Sequence, residues 1–131
     1  RALVARENAR GIPCHRIVLA GFSQGGAIAY TAGLTHPEPL AGIVALSTYI
    51  PAPAALAAQA STANAATPVF AAHGTQDDVV SLQLGVAARD FIQAREHPLT
   101  WQTYPMGHSV CLEEIVAIGA WLAERFGPAA A

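Results

Sequence analysis

The sequence predicts an α/β domain with a mostly parallel β-sheet and helices along its flanks. Short apolar runs alternate along the chain with longer, alanine-rich segments, which is the pattern of strands alternating with helices. Runs such as RIVLAGF and GIVAL are nearly continuous in apolar residues, as is typical of parallel strands that are covered on both faces. A length of 131 residues with a hydrophobic content of 53% fits one domain with a buried core.

The first half of the chain contains the clearest predicted elements. Residues 1–10 have the character of the last turns of a helix, which ends at Gly11. A buried strand is predicted at 16–22, because β-branched and apolar residues dominate it. An alanine-rich helix follows at 24–34, and a second buried strand covers 42–46.

The second half continues the alternation of strands and helices. Residues 51–67 are rich in Pro, Ala, Ser and Thr without a clear period, so we expect a loop with at most one helical turn. A third strand is predicted at 69–72, and a helix at 81–95 begins with a serine as its candidate N-cap. Residues 99–104 alternate in polarity, which favours a half-exposed edge strand. The final helix is expected to bury one apolar face, made of Leu112, Ile115, Ile118, Leu122 and Phe126.

Composition and charge exclude several classes of function. Only 12% of the residues are charged, and the seven cations are scattered arginines, so the sequence has no basic patch for nucleic acid. Residues 17–76 carry a single charge, but glycines and prolines interrupt them too often for a membrane span. Cys14 and Cys111 do not have the spacing of a disulfide framework or a zinc site, and the histidines show no HxH or HExxH pattern. We expect a cytoplasmic enzyme domain without a metal or an organic cofactor.

The strongest functional signal is the segment Gly21-Phe22-Ser23-Gln24-Gly25, which matches the pattern G-x-S-x-G. A predicted strand precedes it and a predicted helix follows it, which is the context that an exposed nucleophilic serine requires. Glycines on both sides of Ser23 would leave room for a tight, strained turn. The alternative interpretation is an ordinary glycine-rich turn in which the serine only caps the helix.

A serine nucleophile needs a base, and the base needs a carboxylate that orients it. Asp77 and Asp78 follow the third predicted strand, and His108 follows the fourth on a glycine-containing loop. These residues and Ser23 therefore leave the carboxyl ends of parallel strands, the edge at which open α/β sheets bind ligands. The order Ser, Asp, His along the chain fits one of the known triad arrangements. Spacing alone leaves both aspartates as candidates for the acid.

Four motifs in chain order, GFSQGG, ALSTYIP, HGTQDDVV and YPMGHSV, resemble the bacterial carboxylesterase and acyl-protein thioesterase family of α/β-hydrolases. The resemblance extends over residues 11–126. It implies that Ser23 is the nucleophile, that His108 is the general base and that Asp77 is the orienting acid. It also implies that the backbone N–H of Gln24 contributes to the oxyanion hole.

The resemblance further implies that Tyr49 and Ile50 line the acyl-group side of the substrate cleft, although simple loop packing is the alternative. In the family, several strands precede the nucleophile strand, and an HGLG-type loop supplies the second oxyanion donor. No such segment precedes Ser23. We therefore interpret residues 1–131 as a single, partial domain, the C-terminal part of an α/β-hydrolase.

Two functions are consistent with the sequence. The first is a serine ester hydrolase that cleaves small to medium acyl esters or thioesters through an acyl-enzyme, with a small-molecule substrate and no cofactor. The second is a truncated remnant without activity, which acts only by association. An open edge at the 16–22 strand motivates the second hypothesis, because an exposed strand edge is a template for pairing with another copy.

The remaining polar residues have simpler interpretations. His15 and His97 lie beside prolines and are expected to face solvent. His73 is expected to pack or to support the acid rather than to react. Asp78 is interpreted as a turn or helix-capping residue, and both cysteines are interpreted as small buried apolar groups.

Overall fold

A computed structural model describes residues 2–127 of the chain. Its four parallel strands lie in the order β1-β2-β3-β4, so that each strand pairs with the next strand in the sequence. The strands are Val18–Phe22 (β1), Gly42–Leu46 (β2), Val69–Gly74 (β3) and Leu99–Tyr104 (β4). The helices of the described residues are Ala2–Ala9 (α1), Gln24–Thr35 (α2), Pro53–Gln59 (α3), Leu82–Ala94 (α4) and Leu112–Phe126 (α5). The predicted α/β class with a parallel sheet is confirmed.

The two inner strands are buried on both faces. On one face, Ile43 and Ala45 of β2 pack with Val69 and Ala71 of β3 against α2 and α4. The side chains that the helices contribute to this layer include Tyr30, Leu34, Ala88 and Ile92. Continuous apolar runs are therefore required in β2 and β3, as the sequence predicted.

Helix α5 covers the opposite face of the sheet. The ring of Trp121 packs against Phe70 with the ring centroids 6.1 Å apart. A Cβ atom at Gly42 would lie 2.5 Å from Trp121, so glycine is needed for this close approach. The predicted buried face of α5 is correct only in part: Ile118 and Leu122 pack against the sheet, whereas Leu112, Ile115 and Phe126 are exposed. Trp121 shifts the buried face, because its large ring occupies the contact with β2 and β3.

The connection between β2 and β3 is more regular than predicted. Instead of a loop with at most one turn, residues 53–59 form α3, with Pro53 in its first turn and Leu56 buried. Proline is compatible with the start of a helix, and the alanines that follow have the highest helix propensity. The side chain of Asn64 then ties this segment to the end of α2, since its Nδ2 donates to the carbonyls of His36 (2.9 Å) and Glu38 (2.8 Å).

The strand boundaries and the histidines show two further differences. Residues Cys14–Arg16 form a 3₁₀ turn, so β1 begins at Val18 rather than at residue 16. His15 is exposed as predicted, but His97 is buried, and its Nδ1 lies 2.9 Å from the Thr67 carbonyl to which it donates. Burial lowers the pKa of His97 below its usual value, despite the opposing effect of that hydrogen bond.

Within residues 2–127, none of the helices combines the length and the apolar character needed to cross a bilayer.

Candidate active site

Ser23 lies at the junction of β1 and α2 in a strained backbone conformation. Its φ of 57° and ψ of −122° are unfavourable for a residue with a side chain, and such strain persists only where the surroundings impose it. The Ser23 N–H donates to the carbonyl of Leu46 at 2.8 Å, and the Thr48 hydroxyl donates to the Ser23 carbonyl at 2.5 Å. The Ser23 hydroxyl makes no capping bond to α2. The interpretation of Ser23 as a simple helix cap is therefore wrong.

The glycines around Ser23 differ in whether a side chain would fit at their positions. A Cβ atom at Gly21 would overlap the carbonyl of Gly25, and one at Gly26 would lie 2.6 Å from Thr48. At Gly25 a Cβ atom would meet nothing within 4 Å in the described part of the chain. The expected steric need for glycine on both sides of Ser23 thus holds for Gly21, and Gly26 rather than Gly25 supplies it on the other side.

His108 connects Ser23 to Asp77. The Ser23 hydroxyl lies 3.0 Å from His108 Nε2, and His108 Nδ1 lies 2.7 Å from Asp77 Oδ2. In the tautomer that fits both contacts, Nδ1–H donates to the carboxylate and Nε2 accepts the serine proton. The structure thus brings together the three residues that the sequence singled out, although Ser23 and His108 are 85 positions apart.

The environment of Asp77 distinguishes it from its neighbour. Its Oδ1 accepts the backbone N–H groups of Val79 at 2.9 Å and Val80 at 2.8 Å, while Oδ2 faces His108. Burial alone would raise the pKa of Asp77, but the hydrogen bonds from His108, Val80 and Val79 outweigh it and hold the pKa below its usual value. Asp77 is therefore a buried, ionised acceptor, whereas Asp78 is exposed.

Two contacts that the sequence analysis did not identify also support His108. The ring of Phe22 lies against the imidazole with the centroids 4.7 Å apart and the planes tilted by 41°. Gly74, at the end of β3, allows the loop before His108 to approach, because a Cβ atom there would overlap the carbonyls of Met106 and Gly107. The variable position of G-x-S-x-G was the available signal for Phe22, since it places an aromatic ring next to Ser23.

The residues predicted to contact substrate lie in different environments. Gln24 is the first residue of α2, where a backbone N–H has no acceptor within the helix. Gln24 and Tyr49 line a cavity of about 530 Å³ beside α2. Ile50 is not part of that lining and packs instead against the core between the sheet and α2. Among residues 2–127, no three His, Cys, Asp or Glu side chains are grouped as metal ligands would be.

A parallel sheet in sequential order, with a strained serine after its first strand and a histidine–aspartate pair at the same edge, defines an α/β-hydrolase fold. The crystal structure of SOBER1 from Arabidopsis thaliana superposes on this chain with a TM-score of 0.90 and 29% identity, over 96% of this chain and 60% of SOBER1. The chain belongs to the phospholipase/carboxylesterase family, which matches residues 1–125.

The curated relatives carry the names of hydrolases. Acyl-protein thioesterase 1 of Neurospora crassa is 45% identical over 126 residues, which cover 94% of this chain and 51% of that protein. A probable carboxylesterase of Oryza sativa is 33% identical over 122 residues, covering 92% of this chain and 46% of that protein. The chain thus spans about half the length of the curated relatives that it matches. The resemblance found in the sequence motifs is confirmed.

Proposed function

We propose that the protein containing this chain is a serine hydrolase of carboxylic esters, including thioesters, with small to medium acyl groups. Ser23 Oγ attacks the carbonyl carbon while His108 Nε2 takes the hydroxyl proton. The tetrahedral intermediate collapses to an acyl-serine, and the alcohol or thiol leaves with the proton from His108. Water then attacks the acyl-serine, His108 accepts and returns a proton, and the carboxylic acid is released.

One observation carries this proposal. The hydroxyl of Ser23, a residue with a strained backbone, does not cap the helix and lies 3.0 Å from His108 Nε2, and His108 Nδ1 lies 2.7 Å from the buried carboxylate of Asp77. Asp77 would hold His108 in the tautomer that accepts the Ser23 proton and would stabilise the imidazolium that forms. The N–H of Gln24, at the start of α2, would donate to the developing oxyanion, a position that the helix dipole also favours.

The cavity beside α2 supports the proposed acyl specificity. Its lining includes apolar groups from Ala27, Ile28 and Pro51 together with Tyr49 and several polar side chains. We propose that Tyr49 contacts the acyl group, while Ile50 anchors the same loop to the core. The names of the relatives, acyl-protein thioesterase and probable carboxylesterase, are consistent with acyl substrates of either ester type.

We also propose that this chain forms part of a larger hydrolase domain. In the described residues, the outer edge of β1 pairs with no strand, and the pocket against it is lined by apolar side chains that include Leu3, Val4 and Leu19. Further strands would cover this edge and would bring a second oxyanion donor. Cys14 and Cys111 are free thiols, which supports a location in the reducing cytoplasm.

Replacing Ser23 with alanine in the natural protein, expressed from its complete coding sequence, tests the proposal. The kcat on an activated short-chain ester should fall by about 10⁴-fold or more, as removal of a triad nucleophile does. A fluorophosphonate probe should label the wild type at Ser23 and leave the S23A variant unlabelled. Ser109→Ala is the matched control, because Ser109 is an exposed serine beside His108. Unchanged turnover in S23A, or labelling at Cys14 or Cys111, would overturn the proposed mechanism.

A further inference from the structure

A second histidine is buried beside the triad acid. His73 lies on β3 with 1% of its surface exposed, and its Nε2 is 2.7 Å from the carbonyl oxygen of Val80. A carbonyl only accepts, so Nε2 carries the proton. The other ring nitrogen, Nδ1, has no hydrogen-bond partner among the described residues. His73 therefore donates one hydrogen bond, to the carbonyl of Val80 in the loop that carries Asp77.

Val80 connects His73 to Asp77. The Val80 N–H donates to Asp77 Oδ1 at 2.8 Å, while the Val80 carbonyl accepts from His73. Asp77 Oδ2, the oxygen that faces His108, lies 3.5 Å from His73 Nε2. His73, which is fixed in β3, thus contacts the Val80 carbonyl, while the Val80 N–H contacts the Asp77 carboxylate. A rotation of the carboxylate away from His108 would have to break at least one of the hydrogen bonds that hold it.

Helix α4 is shaped around the imidazole. A Cβ atom at Gly85 would overlap Nδ1 of His73, so no other residue fits there without displacing the ring. Gly85 lies inside a helix, where glycine is less stable than alanine. An apolar side chain at position 73 would satisfy the packing alone, but it would not hold the Val80 carbonyl.

We propose that His73 is a positioning residue for the Asp77 carboxylate. This inference rests on the proposed function, because it gives Asp77 the role of orienting His108. The Nε2–H group of His73 fixes Val80, and Val80 in turn directs Oδ2 of Asp77 at His108 Nδ1. Small errors in the placement of a catalytic group cost up to about 10²-fold in rate, so loss of the donor should affect turnover.

The test compares His73→Leu, which removes the donor, with His73→Gln, which can place an N–H group near the position of Nε2. Each is measured in the natural protein with an intact Asp77 and in an Asp77→Asn background. With Asp77 intact, H73L should lower kcat by about 10- to 100-fold with KM little changed, and H73Q should restore most of that loss. In the D77N background, H73L should cost less than about two-fold, because the carboxylate that His73 positions is gone.

The outcomes separate the inference from the proposed function. Equal losses from H73L in both backgrounds, or no advantage of H73Q over H73L, would show that His73 only packs. If D77N itself leaves kcat unchanged, the role of Asp77 in the proposed function fails instead. Where H73L does not fold, Gly85→Ala displaces the ring but keeps the donor; it should lower kcat with Asp77 intact and not in the D77N background. Equal effects of G85A in both would overturn the inference.

Discussion

The α-carbon of Gly21 lies against the backbone carbonyl of Gly25, the first turn of α2 folding back over the end of β1. No side chain fits between them. This contact accompanies the sharp turn in which the Ser23 hydroxyl points toward His108. The glycine at position 21 is therefore required by the same turn that strains the Ser23 backbone.

Gly21→Ala should destabilise the fold strongly, because its methyl group would collide with backbone that cannot rotate away. We expect a loss of about 1–3 kcal/mol or more in the free energy of unfolding. Gly25→Ala is the matched control, since its methyl group meets open space in the described residues. It should leave stability unchanged or raise it by up to about 1 kcal/mol through helix propensity. Urea unfolding distinguishes the two, and equal effects would show that the contact with Gly25 does not limit the turn.

Adjacent aspartates should behave differently. Asp77→Asn should reduce kcat by about 10⁴-fold, as replacement of a triad aspartate by its amide does, because the amide favours the wrong tautomer of His108. Asp78→Asn should retain turnover and cost at most about 1 kcal/mol of stability, since Asp78 is exposed. Steady-state kinetics on one ester gives the comparison. A reversed pair of phenotypes would assign the acid to position 78.

Glu114 should make stability depend on pH. The carboxyl is fully buried at the start of α5, and burial raises its pKa above the ordinary 4.5, outweighing the backbone N–H of Cys111, which favours the charged form. The folded state therefore holds a proton that the unfolded state releases above pH 4.5. Its contribution to stability is complete below that pH and is lost as pH rises through the folded pKa.

Glu114→Gln removes this titration, so its stability relative to the wild type should increase as the pH rises from 4.5 into the neutral range. The free energy of unfolding is measured by denaturant titration at both ends of this range. Glu113→Gln is the control, because Glu113 is an exposed neighbour in the same helical turn. If E113Q and E114Q show the same pH dependence, the burial of Glu114 has no such effect.

Residues 1–131 expressed alone should be weakly active and should self-associate. With Gln24 N–H as the main oxyanion donor, kcat should be about 10²–10³-fold below that of the natural protein. The unpaired edge of β1 and the exposed side chains of Leu112 and Val116 on α5 favour association. Light scattering and ester turnover per Ser23 test both points. A monomer that turns over as fast as the natural protein would contradict the interpretation as a partial domain.

Local sequence patterns were sufficient to predict most of the fold. The β2 run is apolar throughout because both of its faces are covered. Strand β4 lies at an edge of the described sheet and is only partly buried, as predicted, but its exposure does not alternate, because the adjacent Gln102 and Thr103 are its exposed residues. The amphipathic face of α5 could not be predicted fully, because its orientation depends on Trp121 meeting Phe70 and Gly42 from distant strands. His97 was placed wrongly for the same reason, since its partner Thr67 lies 30 positions away.

The residues of the candidate site could be predicted from the sequence better than the residues that hold them in place. Ser23, Asp77 and His108 each follow a strand in a recognisable motif, so their common edge follows from parallel pairing. The bond from His73 to Val80 and the stacking of Phe22 on His108 depend on how side chains meet in three dimensions. The sequence places Phe22 beside Ser23 and His73 shortly before Asp77, but the partners of the two side chains, His108 and the Val80 carbonyl, are known only from the folded chain.

The sequential order of the strands also determines how the site can assemble. Each strand pairs with the one synthesised before it, so the sheet can grow by adding one strand and its helix at a time. Sequential order keeps the separation between paired strands short for a parallel sheet, but each pair still closes across an intervening helix, and such pairing is slower than the formation of local contacts. The turn at Ser23 involves only β1, α2 and β2, and Asp77 follows β3. His108 follows β4, so the contacts that join Ser23, His108 and Asp77 can form only when β4 has been added.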